Sequence, residues 1–278
     1  MSSQREFEFR PRDFARIREL IHTHAGISLG EGKSEMVYSR VARRLRATGL
    51  GSFTEYLALI ERDAGEFEEL VNALTTNLTA FFREAHHFAT LGSLLQQQIA
   101  RGPVTLWSAA CSTGEEAYSM AITAIEALGD QATQVSILAS DLDTRAIRVA
   151  ELGVYPLERA SALGEDRLKR FFLKGTGARA GQVRVRPEVR QLLRFRPMNL
   201  IAPDWPVRGP LDAIFCRNAM IYFDKPTQRR ILERFHPLLH PKGLLFAGHS
   251  ESFGHCADLF QARGNTVYAP VGAGASER

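Results

Sequence analysis

Glu115 and Glu116 sit where a phosphate-binding chain would keep bare backbone amides. An apolar run (Val104, Leu106, Trp107) reads as a buried strand, and residues 108–114 form a loop of small side chains. The helix that follows carries Ala117, Met120, Ala121, Ala124, Ile125 and Leu128 at helical spacing and is stopped by Gly129. Strand, tight loop and helix make the opening unit of a nucleotide-binding α/β sheet. An anion at this helix start would meet two negative charges, so the expected ligand is cationic or neutral. The loop also lacks the GxGxxG of a nicotinamide dehydrogenase.

Other polar residues fall where such a sheet binds ligands. Residues 135–139 read as a second buried strand, ending at Ser140-Asp141-Leu142-Asp143-Thr144. An acid at the end of that strand is placed for two ribose hydroxyls, and Asp141 is the nearest. Asp143 suits the cap of a helix over 145–152. Residues 211–215 form a strand leading into Cys216-Arg217-Asn218-Ala219-Met220-Ile221-Tyr222-Phe223, polar residues at the mouth of the same crevice. In ALTTNLTAFFRE, Asn77, Thr79 and Arg83 could reach one ligand from a loop and the following turn. The plainer alternative is that Asn77 and Thr79 merely cap a helix that holds Phe81 and Phe82 in a core.

The elements that must position these groups change character along the chain. Residues 1–90 read as helical, with Asp13 expected to cap a helix over 14–25. A helix over 33–48 has an apolar face (Val37, Tyr38, Val41, Leu45) opposite Arg40, Arg43 and Arg46. That face is either a solvated surface or a docking surface for an acidic partner. The six acids over 51–75 reverse the sign, which argues against a general nucleic-acid binder. Strand–helix alternation begins after Gly102, which puts a domain boundary between about 85 and 100. Residues 154–196 break the alternation: strands over 183–186 and 192–196 are expected to form a small antiparallel insert, rich in Arg. Its open edge could accept a strand from a peptide, or the arginines could simply blunt it. Beyond it a helix over 227–239 and strands over 244–247 and 266–269 are expected, with a disordered tail from Pro270.

A net charge of +4, no apolar window long enough to span a membrane and an N-terminus without an apolar core lead to the expectation of a cytoplasmic protein. Cys111, Cys216 and Cys256 show no CxxC spacing, so free thiols and no metal site are expected.

Taken together, ALTTNLTAFFRE, WSAACSTGEEAYSMA, ASDLDT, GQVRVR, LDAIFCRN, MIYFDK and LLFAGHSESF resemble the chemotaxis receptor methyltransferase family over nearly the whole chain. That family methylates glutamate side chains of chemoreceptors with S-adenosylmethionine, releasing S-adenosylhomocysteine. The resemblance implies a helical N-terminal domain (1–90 with its linker) and a doubly wound, Rossmann-like α/β methyltransferase domain (91–278) with an inserted antiparallel β-subdomain (154–196). It implies that Asn77, Thr79 and Arg83 contact the cofactor and that Asp141 holds its ribose. Asn199, Leu200, Arg217 and Asn218 would surround adenine and the rest of the cofactor. Glu116 is the acid chosen for the methionine part, although Ser112 with Glu115, or Thr113 with Glu116, would make a capping box and leave the other acid free. Tyr222 would sit beside the methyl group, and the helix over 33–48 would meet the receptor. The insert, through its KGTGARAG loop, would bind a receptor C-terminal peptide. Cys111 departs from the Ala common in relatives and is read as packing.

This chemistry suits those residues. A glutamate side chain is ionised at neutral pH, so methyl transfer needs no general base. It needs in-line alignment and a dry site, with Arg83 orienting the carboxylate and Tyr222 lining the methyl's path as the catalytic pair. A non-catalytic module that binds S-adenosylmethionine is the alternative.

Overall fold

Apolar residues three and four apart dictate the helices that begin the chain. Phe14, Ile17 and Ile21 in α1 (Pro11–Ala25) and Val37, Val41 and Leu45 in α2 (Ser34–Thr48) are all buried. α3 (Phe53–Ile60) and α4 (Ala64–Leu74) complete this helical layer. The cap of α1 is Arg10 rather than Asp13. Pro11 takes the first helical position, and Asp13 accepts the Arg10 backbone N–H at 2.9 Å.

The computed structural model describes residues 5–272, and the chain forms two compact units. The first runs to Thr76 and includes Tyr222–Thr227; the second holds Asn77–Ile221 and the residues from Gln228 onward. The division precedes the 85–100 stretch where alternation begins. Asn77 bonds to Asp143 and Ser112, and Phe81 packs edge-on against Tyr155 and Phe172, all within the second unit.

The second unit opens with α5 (His86–Gln98), β1 (Val104–Ser108), α6 (Glu115–Leu128), β2 (Val135–Asp141) and α7 (Thr144–Leu152). Next come β3 (Val154–Pro156), α8 (Leu157–Ser161), α9 (Glu165–Phe171), β4 (Phe172–Lys174), β5 (Gln182–Val185) and α10 (Pro187–Arg190). β6 (Leu193–Pro197), β7 (Leu211–Phe215), α11 (Lys225–Phe235), β8 (Leu239–Phe246), β9 (Phe260–Ala262) and β10 (Val267–Pro270) finish it. One sheet has the order β6-β2-β1-β7-β8-β10-β9. Its first five strands are parallel, and β10 runs antiparallel to both neighbours. Leu106, Trp107, Ile137, Ile214 and Phe215 are fully buried, as strands covered on both faces require. Chain order reverses between β1 and β7, so the ligand crevice of such a sheet lies at their carboxyl ends.

The strand expected over 192–196 does not belong to the insert. It is β6, paired in parallel with β2, and its alternating Leu193 and Phe195 are buried in the main core. The insert's own sheet is β3-β5-β4, antiparallel, with Val183 and Val185 inward and Arg184 outward on the central strand. α11 stops at Phe235 because Pro237 turns the chain through a short 3-10 segment, and β8 begins at Leu239, earlier than expected. β9 is an additional edge strand. The tail expected to be disordered includes 273–278, which lie outside the described residues.

The basic face of α2 is largely committed within its own unit. Arg40 bonds the carbonyls of Ala73, Leu74 and Thr75, Arg44 pairs with Glu66, and Arg46 pairs with Glu6. Lys33 and Arg43 stay exposed. All three cysteines are buried and free, and among the described residues no helix is long and apolar enough to cross a membrane.

Candidate active site

The loop after β1 is shaped by what it cannot accommodate. Gly114 has φ +98°, and a Cβ there would lie 2.7 Å from the Ala150 Cβ, so only glycine fits. Cys111 N–H donates to the Ser140 carbonyl at 2.9 Å, tying the loop to the end of β2. Neither expected capping box forms, because Gly114 occupies the cap position of α6 and provides no side-chain bond. Thr113 instead donates to Glu115 at 2.6 Å, and Arg159 of α8 pairs with Glu115 at 3.0 Å. Glu116 accepts from Ser108 at 2.7 Å and from Arg217 at 3.0 Å. Burial pushes its carboxyl above the ordinary range, and Arg217 and Ser108 reverse this only in part.

At the end of β2 both oxygens of Asp141 are engaged, one by Ser112 N–H at 2.7 Å and the other by Asp143 N–H at 2.9 Å. Burial pushes Asp141 up to about 6 despite those bonds. Asp143 caps α7 as expected, and its second oxygen accepts from the Asn77 amide at 2.6 Å. The Asn77 carbonyl oxygen in turn accepts from Ser112 at 3.3 Å. Residues 75–80 are irregular, so Asn77 and Thr79 cap no helix. Met198 N–H donates to the Asp141 carbonyl at 2.8 Å, which brings Asn199 and the buried Leu200 to the same strand end.

Arg83 rides on a turn whose neighbours, Phe82 and Glu84, both have positive φ (53° and 59°). Tertiary bonds hold that unfavourable backbone: Phe82 N–H donates to the Ser119 hydroxyl at 2.9 Å, and Arg217 donates to the Arg83 carbonyl. The half-buried Arg83 guanidinium donates to the Leu78 carbonyl at 2.9 Å and has no carboxylate partner among the described residues. Arg217 is buried over the Phe88 ring. Asn218 has φ +58° and donates its N–H to Glu251 at 2.9 Å. Glu251 also accepts from Gly248 and Ile221, and a Cβ on Gly248 would strike the Asn218 amide. Tyr222 groups with the first unit, where its carbonyl accepts Ser28 N–H at 2.7 Å.

The second unit thus gathers Asn77, Arg83, Glu116, Asp141, Asn199, Leu200, Arg217 and Asn218 around the ends of β1, β2, β6 and β7. Ser108, Glu84, Arg159 and Glu251 were not foreseen. Glu84 and Glu251 lie inside FFRE and GHSESF, yet neither composition nor period distinguishes them from caps or surface acids.

The residues fit a ligand with cationic and hydroxyl groups and no phosphate. Asp141 itself takes the Ser112 and Asp143 amides that a pyrophosphate would need, and Glu116 is a buried acid suited to an ammonium. A doubly wound α/β domain with this crevice belongs to the class of S-adenosylmethionine-dependent methyltransferases. Residues 77–269 match the family described as "CheR methyltransferase, SAM binding domain", and residues 12–75 match "CheR methyltransferase, all-alpha domain". The chain is 55% identical to chemotaxis protein methyltransferase 2 of Pseudomonas aeruginosa, covering 96% of this chain and 95% of that one. It is 53% identical to the chemotaxis protein methyltransferase of Klebsiella aerogenes (92% and 88% covered) and 50% identical to that of Escherichia coli (92% and 90%). The chain belongs to the CheR methyltransferase family, and it is an enzyme that uses S-adenosylmethionine.

Proposed function

We propose that this enzyme esterifies glutamate side chains of chemoreceptors, with Arg83 as the residue that receives the substrate carboxylate. The observation that carries this reading is an arginine beside the cofactor crevice whose guanidinium bonds the Leu78 carbonyl and has no carboxylate partner among the described residues. Bound S-adenosylmethionine supplies an electrophilic methyl group. Arg83 orients the incoming carboxylate through a charge-assisted pair, and no residue has to remove a proton. Glu116 takes the cofactor's ammonium and Asp141 its ribose hydroxyls. Asn77 holds the Ser112–Asp143 side of the crevice, with Thr79, Asn199, Leu200, Arg217 and Asn218 lining the remainder. Tyr222 is the second catalytic candidate.

The receptor's cytoplasmic domain is the proposed partner, which places the enzyme in the cytoplasm. Of the basic helix, Lys33 and Arg43 are the charges left to meet an acidic receptor surface. The three-residue edge strands β3 and β4 of the insert provide the edge for a receptor C-terminal peptide.

Transfer of labelled methyl to a purified receptor cytoplasmic domain, released as methanol by mild alkali, is the expected result. Label that survives alkali would mean a different acceptor atom and would sink the glutamate reading.

A further inference from the structure

Glu84 has no role so far, and its surroundings are unusual. Its side chain is mostly buried, and Arg217 Nη2 lies 3.2 Å from Oε2. His249 approaches Oε1 through Nδ1 at 3.2 Å and through its backbone N–H at 3.4 Å. Oε2 also faces His87 Nδ1 at 3.5 Å, and neither of those two atoms has a hydrogen-bond partner. His87 Nε2 lies 2.8 Å from the Asn265 carbonyl, which assigns the ring proton to Nε2 and the lone pair to Nδ1. Two acceptors therefore face each other. Burial pushes His87 down to about 4, so no imidazolium proton bridges them at neutral pH. Burial alone would raise Glu84, but Arg217 and His249 outweigh it and hold the carboxylate ionised. The donor atoms of Glu84, His86 and His87 lie within 4.8 Å of one another, close enough to admit a cation. The Arg217 guanidinium already supplies the positive charge at that carboxylate.

We propose that Glu84 is a positioning residue for methyl transfer: as second counter-charge of Arg217 it anchors the guanidinium that holds the Arg83 carbonyl, and it leaves the charge of Glu116 available to the cofactor. This rests on the roles given above to Arg83 and Glu116. One positive group between two carboxylates leaves a net charge of −1, complementary to a ligand bearing an ammonium and a sulfonium. Without Glu84, Arg217 would be matched by Glu116 alone, and the ammonium would have to compete with a buried ion pair.

Glu84→Gln in the full chain separates positioning from structure. The amide is close to isosteric, but Arg217 and His87 Nδ1 face the same oxygen, Oε2, so the group placed there either accepts from Arg217 or donates to His87, not both. Its Tm is expected to fall only slightly, because Arg217 keeps Glu116 as a counter-charge. The KM for S-adenosylmethionine should rise about tenfold, and turnover at saturating cofactor should fall at least about tenfold. Glu84→Asp, which keeps the charge, should recover part of the KM. Arg83→Ala is measured alongside. If Arg83→Ala keeps full turnover, the reading of Arg83 fails. If Arg83→Ala loses turnover while Glu84→Gln keeps wild-type KM and turnover, the Glu84 proposal fails alone.

Discussion

Each unit sets an arginine between two carboxylates, half-buried Arg44 in the first and buried Arg217 in the second, and the two arrangements differ in how fully the guanidinium is engaged. In the first, Arg44 grips both oxygens of Glu66 at 2.9 and 2.6 Å, Tyr56 donates to Glu66 at 2.8 Å, and Glu69 lies 3.3 Å away. Burial and the neighbouring Glu66 push the Tyr56 phenol upward, so it remains a donor. In the second, Arg217 meets Glu116 and Glu84 through separate nitrogens, and Arg217 Nε and Glu84 Oε2 are left without partners. Arg44 meets its carboxylates through all three guanidinium nitrogens, and that network serves the fold. The open one leaves buried polar atoms unsatisfied, a cost to stability that is found where a ligand will bind.

The largest expected effect tests the open arrangement. Arg217→Met leaves two buried carboxylates facing one another without a cation. Removing one partner of a buried pair costs roughly 3–5 kcal/mol. Affinity for S-adenosylhomocysteine, measured by calorimetry, should fall at least about 100-fold. Affinity within threefold of wild type would make Arg217 structural and erase the contrast with Arg44. Arg44→Met should instead cost about 3 kcal/mol in urea unfolding of the first unit while cofactor affinity stays unchanged. A loss of cofactor binding there would break the comparison from the other side.

A smaller effect separates the two units by pH. Asp141, raised from 3.8 to about 6, holds a proton in the free folded enzyme over a range where the unfolded chain has lost it. Its contribution therefore favours the fold at low pH and is lost as pH rises through about 6. In the role proposed for Asp141, cofactor binding runs the other way, because ribose hydroxyls need the ionised acceptor. Affinity should weaken up to about tenfold per pH unit below about 6, with the raised carboxyl of Glu116 acting in the same direction. Asp141→Asn should bind more weakly and flatten this dependence. An unchanged slope in that variant would assign the proton to Glu116.

How much of this was legible in the sequence follows from the range of the interactions. The period of Leu106, Ile137 and Ile214 marks buried strands, and the places of Asp141 at a strand end and of Asp143 as a helix cap are local features. The sequence groups β6 with the insert because its partner β2 lies 56 residues earlier (Leu193 against Ile137), and a parallel register leaves no local trace. The choice between Glu115 and Glu116 was equally hidden. It depends on Arg159 in α8 and Arg217 after β7, and the capping pattern that seemed to bear on it is displaced by Gly114. The positive φ of Phe82 and Glu84 runs against the preference of both residues, so only the tertiary bonds from Ser119 and Arg217 reveal the turn.

The smallest expected effect concerns Cys111, in the loop after β1. Its thiol is fully buried and donates to the Ser112 carbonyl at 3.7 Å, and burial raises it well above the ordinary thiol range. It is neither a thiolate nor a nucleophile at neutral pH. Cys111→Ala removes one sulfur atom from the core and should cost about 1 kcal/mol or less. Because the loop's backbone bond to Ser140 does not involve the side chain, affinity for S-adenosylhomocysteine should stay within twofold of wild type. A tenfold change would mean that the sulfur shapes the crevice, and the closed packing assigned to this loop would have to be reopened at Cys111.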